Sequence, residues 1–152
     1  MSFIEQATRE DVIRKYFDAF SNKDIDALEK MFDKDVTLTD WDISAEGLLP
    51  VCRANEQIFN SVLRITAIPE EIIIDGNNVC ALLTIEIITE GVDPTNDFAE
   101  NHESLKVVDL ITLTNDLKIN QSQRLSNNYG RKNLKRNSTL SSSRKRNSVG
   151  YR

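Results

Sequence analysis

The stretch Ile72-Ile73-Ile74, Asp75-Gly76-Asn77-Asn78 and Val79 through Thr89 narrows the choice of fold more than any other. Gly and Asn reach the positive φ angles a tight turn needs, and the β-branched runs on either side favour strands, so the two arms must pair as an antiparallel hairpin. The second arm is apolar on both faces, which predicts helices over one face and a second subunit against the other. A chain of 152 residues is suited to one such sheet around one core.

The helices that would cover the sheet lie upstream. Thr8 followed by Asp11 resembles a capping box, after which Val12, Ile13, Tyr16, Phe17 and Phe20 recur at helical spacing. This helix is expected to end near Ser21 and to bury Val12, Tyr16 and Phe20. Asp24 can cap a shorter helix carrying Ile25, Leu28, Met31 and Phe32. Pro50 is placed to start a third, with Val51, Ala54 or Asn55, Ile58, Phe59 and Val62 on its apolar side. Ile43–Leu49, Arg64–Pro69 and the acidic stretch 90–103 read as connections, and Asn115-Asp116 as a turn into a last strand at Leu117-Lys118-Ile119. There the pattern stops, because Asn120-Gln121-Ser122-Gln123-Arg124 offers no apolar alternation.

Two strand patterns each carry an acid where packing alone would place Leu or Val. Side chains alternate across a strand. In Val36-Thr37-Leu38-Thr39-Asp40-Trp41-Asp42, Asp40 therefore shares the side of Val36 and Leu38. In Val107-Val108-Asp109-Leu110-Ile111-Thr112-Leu113, Asp109 shares the side of Val107, Ile111 and Leu113. A buried carboxylate without partners costs several kcal/mol and tends to take up a proton instead. A pocket holding two of them is a candidate for proton chemistry. Tyr16, one turn after Val12 on the buried side of its helix, needs a polar partner or a ligand for its hydroxyl. Trp41, Phe20, Phe59 and Val12 are the expected apolar contacts of that pocket.

Charge divides the chain. Residues 1–119 contain all 24 acids against 10 basic residues, a balance of −14, whereas residues 120–152 contain 9 basic residues and no acid. We therefore expect a folded domain over 1–120 and a basic, disordered tail over 121–152. Nucleic acid would be met only through that tail. Met1-Ser2-Phe3-Ile4-Glu5-Gln6 has no signal-peptide character and no apolar run is long enough to span a bilayer, so a cytoplasmic protein away from membranes is expected. Cys52 and Cys80 form no CxxC pair and read as reduced, buried thiols. The lone His102 has no second His or Cys at ligand spacing, so neither metal nor cofactor is expected.

The order helix, helix, strand, helix, antiparallel series resembles the α+β cone of the nuclear-transport-factor-2-like superfamily, in its SnoaL-like and ketosteroid-isomerase-like branch. The resemblance covers roughly residues 9–119 and rests on Ile13-Arg14-Lys15-Tyr16-Phe17-Asp18-Ala19-Phe20, Lys23-Asp24-Ile25-Asp26-Ala27-Leu28, Met31-Phe32-Asp33-Lys34-Asp35-Val36, Asp40 and Asp109. It implies a cone-shaped, curved antiparallel sheet packed against three N-terminal helices, the cystatin-like roll, and a homodimer. It also implies proton transfer beside a carbonyl of a small apolar ligand, with Asp40 as base and Tyr16 and a protonated Asp109 as oxyanion donors. In such an arrangement an apolar site keeps one carboxylic acid neutral so that it can donate a hydrogen bond. Trp41 stands where the isomerases have Pro after the base, which points away from a steroid. The alternative is a non-catalytic ligand-binding or dimerisation module of the same fold, in which both acids are structural.

Overall fold

The computed structural model describes residues 1–40, 42–91, 95 and 99–126. Three helices, α1 (Phe3–Ser21), α2 (Ile25–Met31) and α3 (Leu48–Asn60), pack on one face of a curved sheet. Its strands are β1 (Phe32–Asp40), β2 (Ile43–Glu46), β3 (Arg64–Asp75), β4 (Asn78–Glu90), β5 (Glu100–Leu113) and β6 (Ile119–Ser126). They lie in the order β2-β1-β6-β5-β4-β3, so the sheet stays open at β2 and β3. Four pairings are antiparallel and β1–β6 is parallel, which makes the sheet mixed. None of the described helices is long and apolar enough to cross a membrane.

Helix α1 starts well before the capping box expected at Thr8. Ser2 is the N-cap, with Ser2 and Glu5 each satisfying the other's backbone N–H, while Thr8 donates to the Ile4 carbonyl at 2.9 Å. The helix buries Ile13, Tyr16, Phe17, Ala19 and Phe20, leaving Val12 at the half-buried margin rather than in the core. Lys23 follows in the left-handed region at φ 54°. Its ammonium donates to the carbonyls of Phe59, Val62 and Leu63 at 2.9, 2.7 and 3.3 Å, so one side chain closes the end of α3 and ties it to the α1–α2 turn. Asp24 caps α2 by accepting from Ala27 N at 3.0 Å, as its position suggested.

Several connections expected from sequence are strands. Ile43–Glu46 pairs with β1, and Gly47 then turns at φ +91° into α3, which begins at Leu48 with Pro50 inside its first turn. Arg64–Pro69 is the first half of β3, bulged between Pro69 and Glu71, and the hairpin beyond it turns through Gly76-Asn77. His102 lies within β5, not in a loop; its ring meets the Glu100 carboxylate at 3.1 Å on the surface. The largest difference is at the C-terminal end. The polar run that broke the alternation is β6, continuing to Ser126 and filling the gap between β1 and β5. A bulge at Asn120 shifts its register, since Leu113 faces Ile119 and Thr112 faces Gln121. Ile119, Ser122 and Arg124 thus all point inward despite their uneven spacing.

Candidate active site

The inward-facing residues of β1, β6 and β5 meet in one row. Asp109 and Arg124 are cross-strand neighbours in the antiparallel pair. In the parallel pair Leu38 faces Ser122 and Thr39 faces Gln123, so one step further brings Asp40 alongside Arg124. The two acids picked out by strand parity therefore flank a single buried arginine. Nη1 of Arg124 lies 3.9 Å from Asp40 Oδ2, and its Nε lies 3.9 Å from Asp109 Oδ2. Nη2 donates to the Tyr16 hydroxyl at 3.0 Å, and the guanidinium stacks on Phe20 with its carbon 4.8 Å from the ring centre. Asp109 Oδ1 accepts from the Ser122 hydroxyl at 2.8 Å.

Burial sets the electrostatics. Asp109 is 1% exposed, and desolvation lifts its carboxyl from 3.8 to about 6. Arg124 and Ser122 pull in the opposite direction, and Asp40 adds to the rise. Desolvation likewise raises the Tyr16 phenol above its usual range, with Arg124 opposing and Asp109 adding. For Arg124, burial acts to lower its basicity, but Tyr16, Asp109 and Asp40 together outweigh that and hold the guanidinium firmly charged.

Two members of this row reach a cavity of about 460 Å³, a size that suits a small-molecule ligand. Asp40 and Arg124 line it together with the apolar Phe20, Ile58, Ile65, Ile85, Ile87, Leu105 and Val107 and the polar Gln57 and Ser61. Asp42 and Ser126 also line the wall. Tyr16 and Asp109 lie on the far side of Arg124, where they wall a much smaller void. The structure thus brings Asp40, Tyr16 and Asp109 to one arginine, with Asp40 on the cavity wall and the other two behind that arginine.

The expected apolar contacts separate in the same way. Phe20 lines the cavity, whereas Phe59 packs edge-on against Phe20 with centroids 5.2 Å apart and is not among the lining residues. Val12 sits at the flank of the core away from the chamber lining. Trp41 falls outside the described residues. Arg124 and Ser122, the two members that sequence reasoning missed, were hidden in the stretch set aside as polar. Two inward acids on one sheet were themselves the available signal, because buried carboxylates that stay charged need a cation or hydrogen-bond donors beside them.

The model of the SnoaL-like domain matches residues 13–121. The chain belongs to the SnoaL-like family. No match is found among curated proteins. Among solved structures, this SnoaL-like chain is similar to a putative SnoaL-like polyketide cyclase from Shewanella denitrificans, with 14% identity, a TM-score of 0.69, and 79% of this chain and 90% of that one covered. It is similar to SalBIII, an epoxide hydrolase/cyclase-like enzyme of pyran ring formation in salinomycin, at 22% identity and a TM-score of 0.67 over 80% and 92% of the two chains. A hypothetical protein with a ketosteroid isomerase-like fold from Catenulispora acidiphila, in complex with trimethylamine, aligns at 14% identity and a TM-score of 0.65 over 75% of this chain and 83% of that one. At these identities the likeness establishes the fold, and the SnoaL-like cone is the architecture described above.

Proposed function

We propose that the cavity binds a small, mainly apolar molecule bearing a neutral oxygen function, and that Asp40 moves a proton beside that oxygen. The observation that carries this reading is that Asp40 and Arg124 line the same cavity, of mixed apolar and polar lining, with carboxylate and guanidinium 3.9 Å apart. A carboxylate there can accept a proton from a carbon next to a carbonyl, and the electron pair then moves onto the oxygen. Arg124 stands ready to meet the resulting negative charge with fixed N–H donors. Tyr16 and Asp109, expected to meet the oxygen directly, act in this reading by orienting Arg124. Returning the proton to a different carbon completes an isomerisation; attack of the enolate carbon on a second carbonyl of the ligand, whose C=O π pair moves onto its oxygen and takes the proton back from Asp40, completes a cyclisation. A ligand carboxylate fits poorly, because Arg124 is already answered by two acids.

A second reading has its own support in the arginine set between two carboxyls and in the likeness to SalBIII. Here Asp40 takes the proton of a water or hydroxyl that attacks an epoxide carbon. The C–O bond breaks, and the departing oxygen faces Arg124 until it takes up the proton that Asp40 removed from the nucleophile. Exposed Ile73, Leu110 and Leu125 on the sheet's outer face fit the homodimer expected from sequence, and the free thiols of Cys52 and Cys80 fit a cytoplasmic setting.

The test uses panels of apolar ketones and epoxides, following deuterium exchange beside the carbonyl and diol or ether formation by NMR. Asp40→Asn is expected to lower the active reaction about 100- to 10,000-fold with little loss of stability. Equal turnover in the wild type and the variant would remove Asp40 from the base role, whereas ligand binding without turnover across the panels would favour the non-catalytic binding module.

A further inference from the structure

Strand β5 is longer than the neighbour that seals it. Its pairing with β4 runs from Thr112 all the way to Glu100, whereas its pairing with β6 stops where Val107 faces Ser126. Beside residues 100–106 on that side no described strand lies. Burial changes at the same point, since every second residue from Val107 onward is buried while residues 100–104 are all exposed. An open edge of this kind offers a row of backbone N–H and C=O groups to any extended segment that can reach it. The edge is also acidic, because Glu86 and Glu90 on β4 stand opposite Ser104 and Glu100, and Glu103 lies between them on β5. The ammonium of Lys106 nearby is held by Glu70.

The chain that continues from Ser126 starts where this edge starts. Residues 127–152 lie outside the described residues and carry eight Lys and Arg and no acid. Extending the register past Val107 and Ser126 sets Leu105 opposite Asn128, Ser104 opposite Tyr129 and Asn101 opposite Lys132. Arg131 then comes diagonally beside Glu100, and Lys132 beside Glu103, a spacing that long side chains bridge. The register cannot slide, because β6 already holds it.

We propose that the open edge of β5 is the docking site for residues 127–132 of this same chain, which add to it as an antiparallel continuation of β6 drawn in by the acids of the β4–β5 arm. Asn128 then lies on the cavity side beside Leu105, which lines the chamber as Ser126 does, so the added segment extends the wall of the cavity mouth. Each ladder hydrogen bond gains about what ordering one residue loses, so charge attraction decides the balance and the melting temperature hardly registers it. The docking is independent of whether Asp40 is a base, because no ligand takes part in it.

The test is NMR spectroscopy and amide hydrogen exchange on the full-length chain at low salt. Nuclear Overhauser contacts are expected between residues 127–132 and 101–106 in the register given above. The edge-facing amides of residues 100–106 should exchange about 10-fold more slowly than in the full-length Arg131→Glu, Lys132→Glu variant, with residues 107–113 alike in both proteins. High salt should erase that difference. Random-coil shifts over residues 127–132, or equal exchange in the two proteins, overturn the proposal. A sample mixing isotope-labelled and unlabelled chains shows whose segment docks, and contacts between copies would assign the edge to a second molecule and overturn it as well. The contacts in the wild type decide the matter even if the variant fails to fold.

Discussion

Replacing Asp109 by Asn is expected to stabilise the protein at neutral pH, although it removes one of the arginine's two acidic neighbours. In the folded state this carboxyl titrates at about 6 against an ordinary 3.8, with burial as the main cause. A folded-state value raised in this way means that the native protein holds the proton more tightly than the unfolded chain. The associated stability is complete below the unfolded value, is lost as pH climbs, and is gone above about pH 6. Roughly two pH units at about 1.4 kcal/mol each amount to about 3 kcal/mol. Asn mimics the protonated acid at every pH and keeps an oxygen for the Ser122 hydroxyl, while Arg124 retains Asp40 and Tyr16. Urea unfolding of both proteins across this range should give a difference curve near zero below about pH 4, rising to about 3 kcal/mol in favour of Asn above about pH 7. Other carboxylates cancel in the difference. Should Asn instead be the less stable form at neutral pH, the pull of Arg124 would outweigh desolvation, and the account of a strained buried acid would be wrong.

Three further outcomes are expected. Arg124→Lys keeps the charge but loses the hydrogen bond to Tyr16 and the stacking on Phe20; chemical denaturation should show a loss of about 2 kcal/mol, and any turnover should fall at least about 10-fold. Lys23→Met removes three charge-assisted bonds to the end of α3 and should cost about 2–3 kcal/mol, with a loss under about 0.5 kcal/mol indicating that water replaces the ammonium. Deleting residues 127–152 should leave the melting temperature nearly unchanged and abolish any nucleic-acid retention, and binding that survives the deletion or ignores salt would exclude the tail as the contact.

Much of the architecture was legible because it follows from short-range rules. Asp75-Gly76-Asn77-Asn78 announced the hairpin, Asp24 marked a helix start, and strand parity set both Asp40 and Asp109 inward. What escaped was whatever depends on a partner distant in sequence. Ile43–Glu46 is too short for alternation to be visible and becomes a strand only because β1 offers an edge. Arg124 could not be placed from its neighbours, because the bulge at Asn120 breaks the period and the residues it must balance lie 84 and 15 positions upstream. Its burial is dictated by Asp40 and Asp109, and a hydropathy pattern carries no record of that.

The position of β6 has a consequence for synthesis. It is the last of the described strands to leave the ribosome, yet it is the seam joining the β1–β2 ribbon to the three-stranded β3–β5 ribbon. Until Ser126 emerges, the nascent chain holds two unconnected ribbons, and the two acids wait with no cation between them. Closure of the sheet therefore waits for β6 and depends on many distant pairings, the kind that proceeds slowly. A chain stopped just short of Ile119 would leave two exposed strand edges ready to join with those of its neighbours.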